Sequence, residues 1–320
     1  MMKKVLLICP TFFEYHLLIK KEIETRGFVV DYFDDRPKMG VLGKGIMRLN
    51  KHFLKSKIES YFKKLRKKTF NVEYEKVIVI LGQSFNKEHY VKLKSDHPNS
   101  QFVYYTWDAI ANFPHTLESS KVFDKAYSFD PIDCENYDHL NYLPLFFSKR
   151  KSELDIVEKN GKALIFTTIK KGKLKKINEM ISVLSKHCVV DKRMYLQSRW
   201  VYIFYKLFDR DFAKMKMSDF IYRKLSYDES CTLINNYSYL LDVPMENQNG
   251  YTIRTFEALA LETKLITTNP LLKKSDCYNK KNIAIFPNDD LGEFVSTKFE
   301  KNDILEKHHI SEFVGILLEN

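Results

Sequence analysis

The chain has 320 residues, a hydrophobic share of 44% and a formal net charge of +11 at pH 7. This length exceeds one typical domain, and the hydrophobic share is ample for buried cores. Its 5 cysteines stand isolated, without a CxxC pair or a His–Cys metal spacing, which indicates a reducing compartment and argues against zinc. The first apolar run is too short for a signal peptide, and no window reaches the length of a transmembrane helix, so we predict a cytosolic protein.

Short apolar runs alternate with helical segments in the first half. The pattern predicts a strand over 4–9, a helix that ends at Gly27 and a second strand over 28–33. Two further buried strands are predicted over 77–81 and 101–106. Strands that alternate with helices indicate a parallel sheet covered on both faces. This Rossmann-like opening has no GxGxxG, so it does not indicate a dinucleotide.

Three polar side chains of the first half follow predicted strands. Glu14 and His16 lie in the loop or first helical turn after the first strand, and Asp108 lies just beyond the strand over 101–106. A parallel α/β domain presents such groups to its substrate. Each also has a structural interpretation as a surface or capping group, since a glutamate such as Glu14 favours a helix N-terminus.

Residues 44–68 form a strongly basic stretch, with one acidic residue, Glu59, among its lysines and arginines. Apolar residues recur in threes and fours between the charges, which predicts an amphipathic helix. Such a helix suits an anionic membrane surface or nucleic acid. A third interpretation is a helix that packs its apolar side on the core. No RNA-binding or helix-turn-helix signature favours nucleic acid.

The second half follows a charged, linker-like stretch that begins after Ser148. An apolar strand predicted over 163–168 is followed by Lys170, Lys171 and Lys173 around Gly172. A strand that delivers lysines into a loop suits a nucleotide diphosphate, and a solvated lysine-rich loop is the alternative. Residues 193–212 are aromatic and basic, and their length predicts a helix.

A strand–helix–strand unit follows a capping box of the form S-x-x-E that starts at Ser226. The pattern predicts a strand over 239–243, a polar turn that ends at Gly250, a helix from Thr252 and a strand over 264–267. Such βαβ units bind ligands at the carboxyl ends of their strands.

The predicted helix start has the groups that a nucleotide needs. Its free N–H groups and positive dipole end favour a phosphate, and Thr252 and Thr255 add hydroxyls. Glu257 falls one turn further along, where its carboxylate could accept two hydrogen bonds from a ribose diol.

The run NGYTIRTFEALALETKLITTN resembles the donor-site segment of bacterial GT-B glycosyltransferases of the kind that build capsules, O-antigens and other surface polysaccharides. In that family a turn with glycine precedes a helix, and a Glu-Ala-(Leu/Met)-Ala run holds the ribose. The resemblance assigns the ribose to Glu257. It assigns the pyrophosphate turn to Gly250, Tyr251 and Thr252, and Arg254 joins the same binding set.

The resemblance implies an α/β fold of two Rossmann-like domains that face each other across a cleft. We expect an acceptor-side domain over 1–150 and a domain that binds the nucleotide-sugar over 151–300. A C-terminal helix over 301–320 is expected to pack back toward the first domain. The partners implied are a nucleotide-sugar donor, a glycan or lipid-linked acceptor, and an anionic membrane surface.

The sequence departs from the family pattern at two places. Asn249 stands where retaining members often carry an acidic residue, and residues 262–264 replace the usual Gly-x-Pro. The stereochemistry of transfer therefore stays open. Inverting transfer needs a base for the acceptor hydroxyl, and Glu14, His16 and Asp108 are the candidates. No DxD pair sits in a strand-end loop, so we expect neither a metal nor a cofactor.

Two functions from different classes remain. The first is transfer of a sugar from a nucleotide-sugar donor at the inner face of a bacterial membrane. The second is a basic α/β protein that binds anionic lipid or RNA without chemistry. The segment around Glu257 favours the enzyme, because a binder has no need of a ribose carboxylate behind a helix N-terminus.

Overall fold

The computed structural model describes residues 2–37, 51–169, 173–209, 212, 215–245 and 248–319, without the side chains of residues 51–54. The chain divides into two compact units. The first runs from the N-terminus to Pro144 and includes the C-terminal segment from Ser311, and the second runs from Leu145 to Ile310. The division falls a few residues before the predicted boundary at 150–151.

Parallel strands and helices build the first unit. Its strands are β1 Lys4–Ile8, β2 Val29–Phe33, β3 Lys76–Ile80, β4 Gln101–Thr106, β5 Lys125–Ser128 and β6 Asn141–Tyr142. Its helices before the division are α1 Tyr15–Thr25, α2 Lys51–Thr69, α3 Lys87–Asp96, α4 His115–Ser120 and α5 Pro131–Asn136. The described strands form one parallel sheet in the order β2-β1-β3-β4-β5-β6. Every residue of β3, KVIVI, is buried, as expected for a parallel strand covered on both faces.

The basic helix α2 packs its apolar side into the core of the first unit. Phe62 is 2% exposed and Leu65 is fully buried, and both belong to the hydrophobic core beside the sheet. Lys63 and Lys64 are exposed. The core-facing interpretation therefore holds for the apolar side of α2, and residues 44–50 of the predicted helix lie outside the described residues.

Gly82 follows β3 at a close approach of the backbone to buried side chains. Replacing Gly82 with alanine is expected to destabilise the protein by about 1–3 kcal/mol more than the same change at Gly27. Both glycines have a positive φ, +61° and +83°, so both variants share the cost of that backbone conformation. A Cβ at Gly82 would lie 2.7 Å from the Tyr90 hydroxyl, whereas nothing lies within 4 Å of one at Gly27. Urea unfolding measures the difference, and equal losses would contradict this packing argument.

The second unit has the same kind of architecture. Its strands are β7 Ala163–Ile165, β8 Val190–Lys192, β9 Met194–Tyr195, β10 Phe220–Ile221, β11 Tyr239–Asp242, β12 Lys264–Thr267 and β13 Ile283–Ile285. Its helices are α6 Lys173–Leu184, α7 Arg199–Phe208, α8 Tyr227–Asn235, α9 Ile253–Ala260 and α10 Leu291–Ser296. A parallel sheet has the order β13-β12-β11-β7-β8, and β9 pairs with β10 separately. The predicted α/β class with two Rossmann-like units is confirmed.

The helix predicted over 193–212 is shorter than the aromatic, basic stretch. The first residues of that stretch form β9, and α7 begins after Ser198, whose hydroxyl accepts a hydrogen bond from Val201 N at 3.4 Å. The predicted capping box is confirmed, because Ser226 Oγ accepts from Glu229 N at 3.1 Å and Glu229 Oε2 accepts from Ser226 N at 2.9 Å. Local side-chain capping therefore sets the start of both helices.

The predicted helical tail is broken into pieces. The segment predicted as one helix over 301–320 consists of a 3-10 helix at Asp303–His308 and α11 at Ile310–Leu318. The Phe313 ring lies 4.8 Å from the Tyr105 ring, and Lys76 Nζ donates to the Glu319 carbonyl at 2.9 Å. A cation at the carbonyl end of a helix interacts favourably with the helix dipole. Only the part of the predicted tail from Ser311 on belongs to the first unit.

No helix among the described residues combines the length and the apolar character needed to cross a membrane.

Candidate functional site

The carboxyl ends of β7, β11 and β12 lie side by side in the second unit. Leu241 pairs with Ile165, and Asp242 pairs with Thr267. The start of α9 reaches the same edge, because the Thr252 hydroxyl, at its N-cap position, donates to Asp242 Oδ2 at 2.7 Å. Parallel sheets bind ligands at this edge, so we take it as the candidate site.

Asp242 is a buried carboxylate at this edge, only 6% exposed. Burial raises its pKa, and the charges of Lys173 and Arg254 together with the Thr252 hydrogen bond act in the opposite direction. Lys173, the first residue of α6, also lies with its Nζ 3.4 Å from Thr167 Oγ1. The charges of two cations therefore act on one buried carboxylate at the end of β11.

Glu257 is buried rather than open to solvent. Its side chain is 1% exposed and forms an ion pair and hydrogen bond with the Arg254 guanidinium. The guanidinium carbon of Arg254 lies 4.3 Å from the centre of the Phe166 ring. Glu257 and Arg254, both predicted to bind the donor, therefore pair with each other, because positions three apart in a helix share one face.

The turn before α9 is held by Asn269, which follows β12. Its Nδ2 donates to the carbonyls of Asn249 at 3.0 Å and Gly250 at 3.3 Å. Tyr251 is buried and its hydroxyl donates to the Leu271 carbonyl at 3.2 Å. The backbone of the predicted pyrophosphate turn is therefore fixed in place before any ligand binds.

The structure brings together part of the predicted donor set. Thr252, Arg254 and Glu257 meet at the candidate site, and Thr255 is buried in the first turn of α9. The predicted loop residues Lys170 and Lys171 lie outside the described residues.

Sequence reasoning missed three contributors to the candidate site. Asp242, Phe166 and Asn269 all lie at or just past strand ends. Their positions at the ends of predicted strands were the signal in the sequence that could have identified them. Lys173, the third lysine of the predicted loop, lies within the described residues.

The candidate bases of the first unit lie near the carboxyl ends of β1 and β4. Glu14 precedes α1 in a left-handed conformation with φ of 66°. His16 is 7% exposed, and its ring lies 5.2 Å from the Tyr32 ring. Burial lowers the pKa of His16, although the nearby carboxylates of Asp34 and Glu14 act to raise it.

Asp108 organises its own loop. Its Oδ1 accepts hydrogen bonds from Ala109 N at 3.0 Å and Asn112 Nδ2 at 2.7 Å. The rings of Phe12 and Trp107 lie 6.2 Å apart, which brings the loop after β1 beside the loop after β4. Asp108 therefore has a structural role, which is to hold its own loop, in addition to its predicted role as a base.

Asp35 is a further acidic residue at this edge of the first sheet, and its side chain is fully buried. Its Oδ2 accepts from Gln83 N at 2.8 Å, and its Oδ1 lies 3.5 Å from Arg36 Nε. Burial raises the pKa of Asp35 from 3.8 to about 7. Asp35 was not among the residues predicted from the sequence.

Among the described residues, one group has ligand atoms placed for a metal ion. Carboxylate, thiol and imidazole atoms of Asp276, Cys277 and His308 lie within 4.8 Å of one another. His308 Nε2 and Asp276 Oδ1 are 3.0 Å apart and form an ion pair when the imidazole is protonated. No metal was expected from the sequence, in which His308 is distant from the other two residues of this group.

Two parallel α/β units, with a charged cluster at the carboxyl edge of the second sheet, define a fold of the GT-B class. No family model and no curated protein matches the sequence. Solved structures of this class match it over nearly its full length.

A UDP-GlcNAc 2-epimerase of Methanocaldococcus jannaschii, solved in complex with UDP-GlcNAc and UDP, is 9% identical, with a TM-score of 0.57 over 99% of both chains. A sucrose-phosphate synthase of Thermosynechococcus elongatus is 11% identical, with a TM-score of 0.58 over 99% of this chain and 95% of its own. A glycosyltransferase of Rickettsia africae is 11% identical, with a TM-score of 0.55 over 99% and 93%. At these identities the similarity shows the fold, which is GT-B.

Proposed function

We propose that the protein transfers a sugar from a nucleotide-sugar donor to a glycan or lipid-linked acceptor in bacterial surface polysaccharide synthesis. The observation that carries the proposal is the charged cluster at the carboxyl edge of the second sheet. There Arg254 lies in the first turn of α9, and the charge of Lys173 acts on Asp242, which accepts a hydrogen bond from the N-cap residue Thr252. Two cations and a helix N-terminus are what a diphosphate requires. The UDP ligands of the structurally similar epimerase agree with a nucleotide at such a fold.

In the proposed reaction the acceptor hydroxyl attacks the anomeric carbon of the donor sugar. The bond between that carbon and the diphosphate oxygen breaks, and the nucleoside diphosphate leaves with the bonding electrons. Lys173, Arg254 and the amides at the start of α9 would stabilise the charge on the leaving group. A base on the first unit would take the hydroxyl proton in an inverting transfer, and Glu14, His16 and Asp108 stay the candidates.

Glu257 has two roles in this proposal. Its carboxylate is predicted to bind the ribose, and its ion pair with Arg254 holds the guanidinium in position. Asn249 stands where retaining relatives often carry an acidic residue. The anomeric outcome is therefore to be decided by product analysis.

A thermal-shift panel of nucleoside diphosphates, with RNA as a separate ligand, tests the proposed function. We expect one diphosphate to stabilise the protein. Its affinity should fall roughly tenfold or more in Lys173→Met, the loss typical of a charged hydrogen-bond partner. Lys176→Met, an exposed lysine of the same helix, is the matched control and should bind as the wild type does. Stabilisation by RNA alone would favour the non-catalytic binding protein instead.

The acceptor of this reaction is proposed to lie at the inner face of the membrane. The exposed lysines of α2 would attract anionic lipid over long range, each contributing about 1 kcal/mol and weakening with salt. Since the apolar side of α2 is buried in the core, this helix would attract the membrane by its charge but has no apolar surface to insert into the lipid.

A further inference from the structure

The helix α7 exposes large apolar side chains along one face. The exposed fractions are 79% for Trp200, 41% for Ile203, 59% for Phe204, 73% for Leu207 and 74% for Phe208. These positions follow the spacing i, i+3, i+4, i+7 and i+8, which places all five on a single helical face. We call these five side chains the α7 stripe. In a soluble domain such a stripe normally faces the core, so its exposure requires an explanation.

The opposite face of α7 is the one packed in the second unit. Tyr202 is 8% exposed, and its ring lies 5.5 Å from the rings of both Phe212 and Phe220. Its hydroxyl donates to the Met215 carbonyl at 3.0 Å. The face of α7 that carries Tyr202 therefore packs on the core. Rotating the helix to bury the stripe would break these aromatic contacts.

Basic side chains accompany the stripe. The sequence of α7, RWVYIFYKLF, contains Arg199 and Lys206 and no acidic residue. Both are exposed, as are Arg193 and Lys216 on either side of the helix. Lys206 Nζ donates to the Met215 carbonyl at 2.9 Å, which keeps the lysine beside the packed face. The helix that carries the stripe thus has two cations and no anion within it, in a chain of net charge +11.

We propose that α7 docks the second unit on an anionic membrane, with its stripe buried at the boundary between headgroups and acyl chains. Trp, Phe and Leu on one face with Lys and Arg beside them match a helix that lies in the interface. A protein partner is the less favoured occupant, because an acyl region accepts a convex apolar stripe without a complementary groove. At 10 residues, α7 is about 15 Å long and therefore lies in the plane rather than spanning.

The two helices would have separate tasks. The lysines of α2 would attract the anionic surface from a distance, whereas the stripe of α7 would supply the apolar contact. This inference is independent of the proposed function, since lipid binding requires neither a donor nor a transfer reaction.

Vesicle flotation of the full chain tests the proposal, with zwitterionic vesicles compared to vesicles that contain anionic phosphatidylglycerol. The variant Trp200→Ser/Leu207→Ser/Phe208→Ser should lose affinity for the anionic vesicles by roughly tenfold or more. Its matched control, Ile156→Ser/Val189→Ser, removes two exposed apolar side chains, 103% and 59% exposed, away from α7 and should bind as the wild type does. Unchanged thermal unfolding of both variants shows that the fold is intact.

The salt dependence of vesicle binding distinguishes the contribution of α2 from that of α7. Replacing Lys63, Lys64, Lys67 and Lys68 with Gln should weaken binding at low salt and change little at high salt, whereas the α7 variant should be weak at both. In a Trp107→Phe background, Trp200 is the only tryptophan, and its emission should shift to the blue on anionic vesicles.

The proposal is overturned by wild-type protein that stays unbound at low salt, or by an α7 variant that binds like the wild type. A wild type that dimerises through the stripe and ignores vesicles would overturn it as well. In that case light scattering would show a dimer that the α7 variant converts to a monomer.

Discussion

Replacing Glu257 with alanine is expected to lower the free energy of unfolding by about 3–5 kcal/mol, because the change removes the carboxylate that pairs with a largely buried arginine. The Arg254 side chain is only 17% exposed and lies against the Phe166 ring, so its charge is poorly solvated. Glu24→Ala is the matched control. It also removes a helical glutamate from an ion pair, but that pair with Lys20 is exposed and is expected to contribute about 0–1 kcal/mol.

Urea unfolding of the two variants measures this contrast. A loss at Glu257 no larger than the loss at Glu24 would mean that the pair with Arg254 is not a buried, fixed contact.

Glu257→Gln separates stability from nucleotide binding. The amide keeps the volume and one acceptor oxygen, so this variant should stay folded. Its affinity for the stabilising nucleoside diphosphate should fall by about 1–3 kcal/mol, the usual loss for a charged hydrogen-bond partner. Calorimetry measures the affinity. An unchanged affinity in the folded variant would remove Glu257 from the donor site, both as the ribose ligand and as the group that positions Arg254.

Asp35→Asn is expected to stabilise the protein by up to about 4 kcal/mol near pH 8. Burial raises the pKa of this carboxyl from 3.8 to about 7, so the folded protein holds the proton to a higher pH than the unfolded chain. The folded state therefore binds more protons between these two values, and stability falls as the pH rises through that window. Asparagine keeps an oxygen for Gln83 N, which donates to Asp35 at 2.8 Å, and carries no charge to desolvate.

Urea unfolding near pH 5 and near pH 8 measures both the gain and the flattened pH dependence. Asp138→Asn, at an exposed aspartate, is the control and should change neither. A variant at Asp35 that is less stable than the wild type near pH 8 would contradict the argument. It would indicate that the charge attracts Arg36 more strongly than burial penalises it.

Local patterns in the sequence were sufficient for the class of fold. Alternating apolar runs and helical segments predicted parallel α/β units, because strand and helix periodicity depend on neighbouring residues alone. The capping box at Ser226 was predictable for the same reason. The unit of β11, turn, α9 and β12 was also recognisable from sequence, since its parts are consecutive in the chain.

Contacts between distant residues decided the composition of the candidate site. Lys173 and Asp242 meet because β7 and β11 are neighbours in the sheet, although many residues separate them in the chain. The spacing of Arg254 and Glu257 made their pairing predictable, but their burial was not. Exposure depends on which elements cover a helix, and helical spacing carries no information about that.

Helices α2 and α7 also show which properties the sequence determined and which depended on tertiary packing. Periodicity indicated an apolar side on α2, whereas the helix that contains α7 was predicted from the length of an aromatic, basic stretch. Tertiary packing then buried the apolar side of α2 and left the stripe of α7 exposed. A sequence specifies that a helix has two unlike faces, because side chains repeat with the helical turn. Which face meets the core is decided by the surfaces available to pack against it, and those come from distant parts of the chain.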